Sequence, residues 1–162
     1  MPKTAHTTRI EDQPGYWIRR LQQIAVALFL QETDGLELTP VQYGTMQIIC
    51  NHPGLDQRSI AAQLGLDTST LGTVLDRMER RGWCTREPSA HDKRVRLLKP
   101  TAEGRALIAS AQPHMQAAQA RILAPLKPHQ QAQFMRLLKT VVEGNNSNSR
   151  APKQASAHQI GA

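Results

Sequence analysis

Short hydroxyl side chains and one arginine recur at helical spacing between residues 68 and 77. Such hydroxyls let a helix approach a partner closely, and they can bond to the base edges and phosphates of the DNA major groove. The chemistry that they suggest is recognition of a polyanion rather than catalysis. A solvated face of an ordinary helix pair is the alternative. The candidate contact residues of this face are Thr68, Ser69, Thr70, Thr73 and Arg77.

A second group of polar residues occupies positions 91–96, with the sequence His-Asp-Lys-Arg-Val-Arg. Asp92 lies two residues before Arg94, so that its carboxylate can hold the guanidinium in a bidentate pair and fix its direction. An arginine held in this way can enter a narrow minor groove, where the potential is most negative. Lys93 and Arg96 are candidates for flanking phosphates. The alternative is an exposed hairpin whose ion pair contributes less than about 1 kcal/mol.

No catalytic or metal-binding pattern accompanies these groups. The six histidines are scattered, and the chain has no Ser-His-Asp set, paired carboxylates, P-loop or GxGxxG motif. Cys50 and His52 are two potential metal ligands without companions. We therefore expect no enzyme, no metal and no cofactor. Cys50 and Cys84 form no CxxC motif, which fits a reducing compartment and leaves a thiol redox sensor as an alternative.

Charge is distributed unevenly along the chain, whose formal net charge is +7. Residues 32–67 are acidic, with Arg58 as the single basic residue, whereas residues 76–105 carry nine basic side chains against five acidic ones. Such a local basic surface is typical of a phosphate-contacting face and favours double-stranded DNA as the partner. There is no apolar run of 18 residues and no signal-peptide pattern, so we expect no membrane contact and a cytoplasmic location.

The hydroxyl face requires a helix that projects from a small core, and residues 56–81 predict one. Two short helices, 56–64 and 67–81, meet at Gly65, which permits a tight turn, while the small Ala61 lets them cross closely. Asp67 is the expected N-cap of the second helix, and Gly82 is its expected stop. This pattern is typical of a helix-turn-helix with residues 67–81 as the recognition helix.

The remaining elements complete a winged helix-turn-helix. Residues 84–87 and 94–98 read as two strands of a hairpin, and Thr39-Pro40 with Gln42 predicts a capped helix start. Apolar periodicity predicts further helices within residues 14–34 and 101–143, with a kink or break at Pro113. The expected fold class is mainly α with a small β-hairpin: a winged helix-turn-helix plus a helical dimerisation region.

We divide the chain into a flexible N-terminal arm (1–13), one winged helix-turn-helix domain (14–143) and a disordered tail (144–162). Within the domain, residues 39–100 form the DNA-binding module, and helices within 14–34 and 101–143 form the dimerisation region. The apolar stripes of these outer helices are too long for one small module to cover. A second copy of the chain would bury them, so we expect a homodimer.

Several short motifs together resemble the MarR family of transcriptional regulators, over roughly residues 14–143. The resemblance implies an obligate dimer that reads a pseudo-palindrome with two winged modules. It also implies that Asp92 and Arg94 match the paired residues of the wing and that Arg77 matches a supporting arginine. Pro100 departs from the leucine usual before Thr101, which we expect to alter the junction between wing and helix. The motifs are Leu38-Thr39-Pro40-Val41-Gln42-Tyr43, Ala61-Ala62-Gln63-Leu64-Gly65, Asp76-Arg77-Met78-Glu79-Arg80-Arg81-Gly82, Asp92-Lys93-Arg94 and Thr101-Ala102-Glu103-Gly104.

The resemblance further implies repression that is relieved by a small aromatic carboxylate, and its finer form, to repressors of nicotinate degradation, implies a hydroxylated nicotinate. An anionic ring needs a cation and an aromatic or methionine wall. Trp17, Arg20, Tyr43 and Met46 are the candidates, with core or interface positions as the alternative for each. A winged helix that binds another protein and a redox-sensing repressor remain the alternative functions.

Overall fold

Six α-helices and three short strands make up residues 9–154, the part of the chain that the computed structural model describes. Apart from the short strand Leu55–Asp56, they follow one another in the order that the sequence predicts, and the fold class is confirmed. The helices are α1 (Pro14–Glu32), α2 (Pro40–Asn51), α3 (Gln57–Leu64), α4 (Thr68–Arg80), α5 (Ala102–Leu123) and α6 (Pro128–Gly144), and the strands are β1 (Leu55–Asp56), β2 (Cys84–Pro88) and β3 (Arg96–Pro100).

The wing is a three-stranded antiparallel sheet rather than the two-stranded hairpin that the sequence predicts. β3 lies in the centre, paired with β2 on one side and with the two-residue β1 on the other. Leu55 of β1 lies opposite the fully buried Leu98. Two residues are too few to show the alternation by which a strand is recognised, so β1 could not be predicted from the sequence.

Side-chain caps fix where the helices begin. The hydroxyl of Thr39 accepts a hydrogen bond from the Gln42 backbone N–H at 3.2 Å, and the Gln42 side chain accepts one from the Thr39 N–H at 3.0 Å. This capping box at the start of α2 confirms the prediction. Thr101 caps α5 in a similar way, because its hydroxyl accepts from the Gly104 N–H at 3.0 Å and donates to the Gly82 carbonyl at 2.6 Å.

Two clusters of buried apolar side chains hold the elements together. The larger one fills the winged module between α2, α3, α4 and the sheet, and the smaller one joins α1, α2 and α5. The recognition helix is therefore anchored to a rigid base. The larger cluster consists of Met46, Ile49, Ile60, Ala61, Leu71, Leu75, Met78, Cys84 and Leu98, and the smaller one of Phe29, Leu38, Tyr43 and Ala111.

Helix α5 connects the winged module to the rest of the molecule and runs through Pro113 without interruption. Of the kink or break that we expected at this proline, the break does not occur. A proline in a helix leaves the carbonyl four residues earlier without its donor. Here that residue, Ala109, is exposed, so water can satisfy the carbonyl.

Both ends of the described chain carry more local structure than we expected. In the arm, Ile10–Asp12 form a 3-10 turn, and the Trp17 indole N–H donates to the Glu11 carbonyl at 2.7 Å. Beyond α6, residues 145–154 fold back onto α3, although we expected disorder from Gly144. Asparagine side chains satisfy the backbone in this segment, which composition alone does not reveal. The outer parts of the predicted arm and tail, 1–8 and 155–162, lie outside the described residues.

Helix α6 packs on the short turn that follows it and leaves its apolar stripe exposed. Leu137, Val141 and Val142 are 49%, 54% and 59% exposed. Ile18 and Ile24 on α1 are exposed as well. None of the helices described is long and apolar enough to cross a membrane.

Candidate nucleic-acid interface

The recognition helix α4 begins at an acidic cap, as the sequence predicts. One carboxylate oxygen of Asp67 accepts from the Ser69 hydroxyl at 2.6 Å and from the Thr70 N–H at 2.8 Å, and the other accepts from the Thr70 hydroxyl at 2.7 Å. These hydrogen bonds, that of Ser69 first, hold the pKa of Asp67 well below its usual value. The cap is therefore ionised at neutral pH and orders the first turn of α4.

The outward face of α4 is exposed throughout, and the Asp67 cap determines whether its hydroxyls donate or accept hydrogen bonds. The hydroxyl protons of Ser69 and Thr70 point to Asp67, so these oxygens are left as acceptors. The donors on base edges in the major groove are the amino groups of adenine and cytosine. Thr68 has no side-chain hydrogen bond within residues 9–154, and it can donate or accept.

Close packing sets the angle between α3 and α4. A side chain at Gly72 would place its Cβ 3.0 Å from the amide nitrogen of Gln57. The same amide donates to the Thr68 carbonyl at 2.9 Å, which ties the start of α3 to the start of α4. The small residue and the amide together hold the recognition helix in a fixed pose.

The tip of the wing carries the predicted pair. The Arg94 guanidinium donates to both carboxylate oxygens of Asp92, at 3.1 Å each, and the Arg94 backbone N–H donates to the same group at 2.9 Å. This pairing lowers the pKa of Asp92. The Arg94 side chain is nevertheless 91% exposed, so its direction is fixed while its outer edge stays free for a partner. Lys93 and Arg96 are exposed beside it.

Arg86 braces the wing against the recognition helix, a role that was not predicted from the sequence. From β2 its guanidinium donates to Asp76 at 2.6 Å and to Glu79 at 2.9 Å. Its backbone N–H also donates to Glu79, at 3.2 Å. The only available signal was the spacing of Asp76 and Glu79, which puts two acids on one side of α4.

Arg77 lies near the end of α4, one helical turn after Thr73, and borders an open cavity of about 440 Å³ together with Arg80 and Arg81. Arg81 donates to the Glu37 carbonyl at 3.0 Å and lies over the Trp83 ring at 5.0 Å. The end of α4 is thus attached to the loop between α1 and α2. Arg77 itself is exposed and forms no ion pair with any residue that the structure describes.

A second cavity of about 400 Å³ lies between α1, α2 and α5, where the winged module meets the outer helices. Its walls combine an aromatic pair with aliphatic side chains. Phe29 and Tyr43 meet edge to face with their ring centroids 6.3 Å apart. Its polar groups are the Tyr43 phenol and the amides of Gln22, Gln47 and Gln119. The lining contains no charged side chain.

The four candidate ligand residues are not brought together. Tyr43 lines the second cavity, whereas Met46 is fully buried in the larger core cluster. Positions 43 and 46 are neighbours on one side of α2. The Met46 side chain nevertheless packs into that core cluster and approaches Gly104 of α5, and it does not line the cavity. Trp17 is 58% exposed and donates to the Glu11 carbonyl, and Arg20 donates to Gln23 at 3.3 Å. Neither residue is part of the cavity wall.

Comparison with known proteins identifies the family to which this chain belongs. The MarR family model matches residues 38–95. The transcriptional regulator HosA of Escherichia coli O127:H6 is 35% identical over 106 residues, which cover 65% of this chain and 78% of HosA. The chain belongs to the MarR family. Members of this family are transcriptional regulators that bind DNA and are not enzymes, so this chain is a DNA-binding transcriptional regulator.

Solved structures of MarR-family regulators share the fold over nearly their whole length. PcaV of Streptomyces coelicolor, in complex with its natural ligand, superposes with a TM-score of 0.80 at 32% identity, covering 85% of this chain and 96% of PcaV. The repressor CouR of Rhodococcus jostii, bound to a 23-mer DNA duplex, gives a TM-score of 0.78 at 27% identity, covering 88% and 99%.

The cysteines of this MarR-family chain do not favour the redox alternative. Burial, and next the charge of Glu79, raises the pKa of the Cys84 thiol to about 11, and the residue is 1% exposed. Burial also raises the pKa of Cys50. A sensing cysteine needs an accessible thiolate. The thiols here are held protonated, and that of Cys84 is shielded from solvent.

Proposed function

We propose that this regulator is a homodimeric repressor that is released from a pseudo-palindromic operator by a small aromatic acid. The observation that carries the proposal is the cavity between α1, α2 and α5. Its volume of about 400 Å³ lies in the range of small-molecule sites, and an aromatic pair with three glutamine amides lines it. Its position between the outer helices and the winged module would let an occupant change their relative orientation.

The DNA-contact surface in this proposal consists of the exposed side chains of α4 and the wing. We assign base-edge or nearby phosphate contacts to the hydroxyl face, a minor-groove contact to Arg94 supported by Asp92, and phosphate contacts to the other basic residues. Two such surfaces would be needed to read an inverted repeat. The proposed contact residues are Thr68, Ser69, Thr70, Thr73, Arg77, Asp92, Lys93, Arg94 and Arg96.

The homodimer is supported by the exposed apolar stripes of α1 and α6. Side chains such as Ile18, Leu137 and Val141 are about half exposed in the single chain. Burying these side chains against a second copy would stabilise the dimer by roughly 25 cal/mol for each Å² of apolar surface removed from water. The family relationship supports the same arrangement.

A carboxylate in the cavity would be met by neutral donors, because the lining contains no charged side chain. Gln22, Gln47 and Gln119 can donate amide N–H groups, and Tyr43 can donate its hydroxyl. Tyr43 is the one predicted ligand residue that we retain at this cavity. PcaV was solved with its natural ligand, and CouR has been crystallised with p-coumaroyl-CoA, so ligand binding has precedent among structural neighbours. A hydroxylated nicotinate is the first effector to test.

Two steps test this proposal. Selection of duplexes from a randomised pool, at near-physiological salt, is expected to recover an inverted repeat whose half-sites lie about one helical turn apart. A hydroxylated nicotinate or a hydroxybenzoate should then weaken binding to the recovered duplex, whereas cyclohexanecarboxylate, which has no aromatic ring, should not. To weaken DNA binding tenfold, the effector must bind the DNA-free conformation about 1.4 kcal/mol more tightly than the DNA-bound conformation.

A matched pair of variants locates the effector. Gln119→Leu removes an amide from the cavity wall, and Gln112→Leu makes the same change on α5 outside the wall. Only the first should lose the response to the aromatic acid, while both should bind DNA as the unaltered protein does. Equal responses in the two variants would exclude this cavity as the effector site. If the duplex selection recovers no shared sequence, the proposal of a repressor that reads an operator is wrong.

A further inference from the structure

Residues 145–154 form a separate feature beyond the outer helices, which we call the C-terminal clasp. It begins with a 3-10 turn at Asn146–Asn148 and closes on itself through one side chain. The Asn146 amide donates to the Lys153 carbonyl at 2.9 Å, and its oxygen accepts from the Lys153 N–H at 2.8 Å. This two-way pairing fixes the clasp as a loop of defined shape.

The clasp is attached to the helix-turn-helix. The Gln154 N–H donates to the Ala62 carbonyl at 3.0 Å, near the end of α3, where carbonyls run out of helical partners. The carbonyl oxygen of Ala151 lies 3.4 Å, and the Cβ of Lys153 3.8 Å, from the position that a Cβ at Gly65 would occupy. Gly65 has a φ of +65°, so its missing side chain serves both the turn and the close approach of the clasp.

The clasp brings positive charge to the side of α3 on which it lies. Arg150 and Lys153 are the only charged residues between positions 145 and 154, and both are exposed without an ion pair in the described chain. Arg58 lies one helical turn before Ala62, on the same side of α3, and it too is exposed. Three cations therefore lie along the side of α3 that ends at this turn.

If α4 enters the major groove, this position would lie beside a phosphate backbone. The recognition helix starts at Thr68, three residues after Gly65, and three residues span at most about 11 Å. The major groove is about 12 Å wide, so a helix inserted in it has a phosphate backbone along each side. The long side chains of Arg150 and Lys153 extend this reach.

We propose that the C-terminal clasp is part of the DNA-contact surface and that Arg150 and Lys153 bind backbone phosphates beside the start of the recognition helix. These contacts add affinity without sequence preference. The proposal rests on DNA binding by the helix-turn-helix but not on an operator or an effector.

The test uses a fluorescent duplex of arbitrary sequence, because phosphate contacts do not depend on the bases. Binding is measured by anisotropy over a series of salt concentrations for the full-length double variant Arg150→Gln/Lys153→Gln. The slope of log affinity against log salt should fall by about 0.9 for each phosphate that the variant no longer neutralises. The matched control is Lys127→Gln/Arg136→Gln, which removes the same two charges at α6 and should leave the slope unchanged. Equal slopes for the clasp variant and the unaltered protein would overturn the proposal.

A second variant separates charge from support of the fold. Asn146→Ala keeps both cations but removes the pairing that fixes the clasp, and we expect a smaller decrease of slope in the same direction. If truncation after Gly144 weakens binding with no change of slope, the clasp only supports α3 and the phosphate role is wrong. A lower slope in the clasp variant, together with failure to select any operator, would sustain this inference and reject the proposed repressor function.

Discussion

At the scale of single residues, the wing tip shows how a cation can be paired and still available. Asp92 binds the inner edge of the Arg94 guanidinium, which leaves the side chain 91% exposed. We expect Arg94→Ala to weaken DNA binding roughly tenfold, since a minor-groove arginine meets a strongly negative potential. Asp92→Asn should weaken DNA binding less, because the charge of Arg94 remains and only the hold on the direction of its side chain is lost. Anisotropy with a selected duplex measures both.

A suitable control for the wing tip is Lys99→Ala, which removes a charge from β3 at a residue paired with Glu87 at 2.7 Å. If Lys99→Ala weakens binding as much as Arg94→Ala does, the wing contributes only general charge and the assigned role of Arg94 is wrong.

The thiol of Cys84 provides a test of the redox alternative. Its pKa is raised from 9.0 to about 11, so the folded protein holds its proton more tightly than the unfolded chain does. As pH rises from 9 towards 11, the thiol ionises in the unfolded chain before it does in the folded protein. Cys84 therefore lowers the free energy of unfolding over this pH range. In folded protein at pH 8, alkylation of Cys84 should be much slower than in urea, as mass spectrometry can show. Rapid alkylation, with loss of DNA binding under peroxide, would restore the redox-sensing hypothesis.

At the scale of elements, the brace between β2 and α4 makes the wing and the recognition helix one unit. Arg86→Met would leave the carboxylates of Asp76 and Glu79 without their partner. We expect a loss of about 1–2 kcal/mol in the free energy of unfolding by urea, since hydrogen bonds to charged groups contribute about that much where burial is partial. DNA affinity should fall with an unchanged salt slope, because Arg86 has no free edge for a phosphate.

The control for the brace is Arg105→Met on α5, an exposed residue without an ion pair among those described. A salt slope that falls with Arg86→Met would mean that this arginine binds DNA directly, contrary to the positioning role.

The contact of α5 with α2 and with Trp83, which precedes β2, predicts a sharp steric effect. A Cβ at Gly104 would overlap the Trp83 carbonyl oxygen and would also lie 2.7 Å from the Met46 methyl group. Gly104→Ala should therefore lower the free energy of unfolding by about 1–3 kcal/mol, although alanine is the better helix former. Gly15→Ala on α1, where nothing lies within 4 Å, should be neutral or slightly stabilising. Urea denaturation measures the free energy of unfolding of both variants, and equal values would contradict the steric argument.

Elements whose ends are defined by local chemistry were predictable from the sequence. The Thr39–Gln42 capping box and the Asp67 cap are bonds between residues three apart or fewer, and the structure confirms them. Long-range pairings were not predictable. The pairing of β1, the contacts of Arg86 with α4 and the docking of residue 154 on α3 each join separate elements, over 43, 7–10 and 92 positions. Met46 illustrates the same limit, since its position on α2 suggested a pocket wall, whereas its side chain packs into the core of the winged module.

At the scale of the whole molecule, the exposed stripe on α6 must be explained by what covers it. Val141→Asp places a charge in the centre of that stripe, whereas Thr140→Asp makes the same change of charge on the adjacent residue, which faces the other way. If a second copy covers the stripe, only Val141→Asp should yield monomers in sedimentation experiments. Burying an unpaired carboxylate in an apolar interface is strongly unfavourable.

Separation of the protomers should also change how DNA is read. One protomer can occupy only one half-site, and without the linked second half-site the affinity for an inverted repeat should fall by about 10²-fold or more. Affinity for a duplex with a single half-site should change little, which distinguishes a monomer from an unfolded chain. A Val141→Asp protein that stays dimeric and binds the inverted repeat with full affinity would show that α6 is not the dimer contact, and the exposed stripe would then require a different partner.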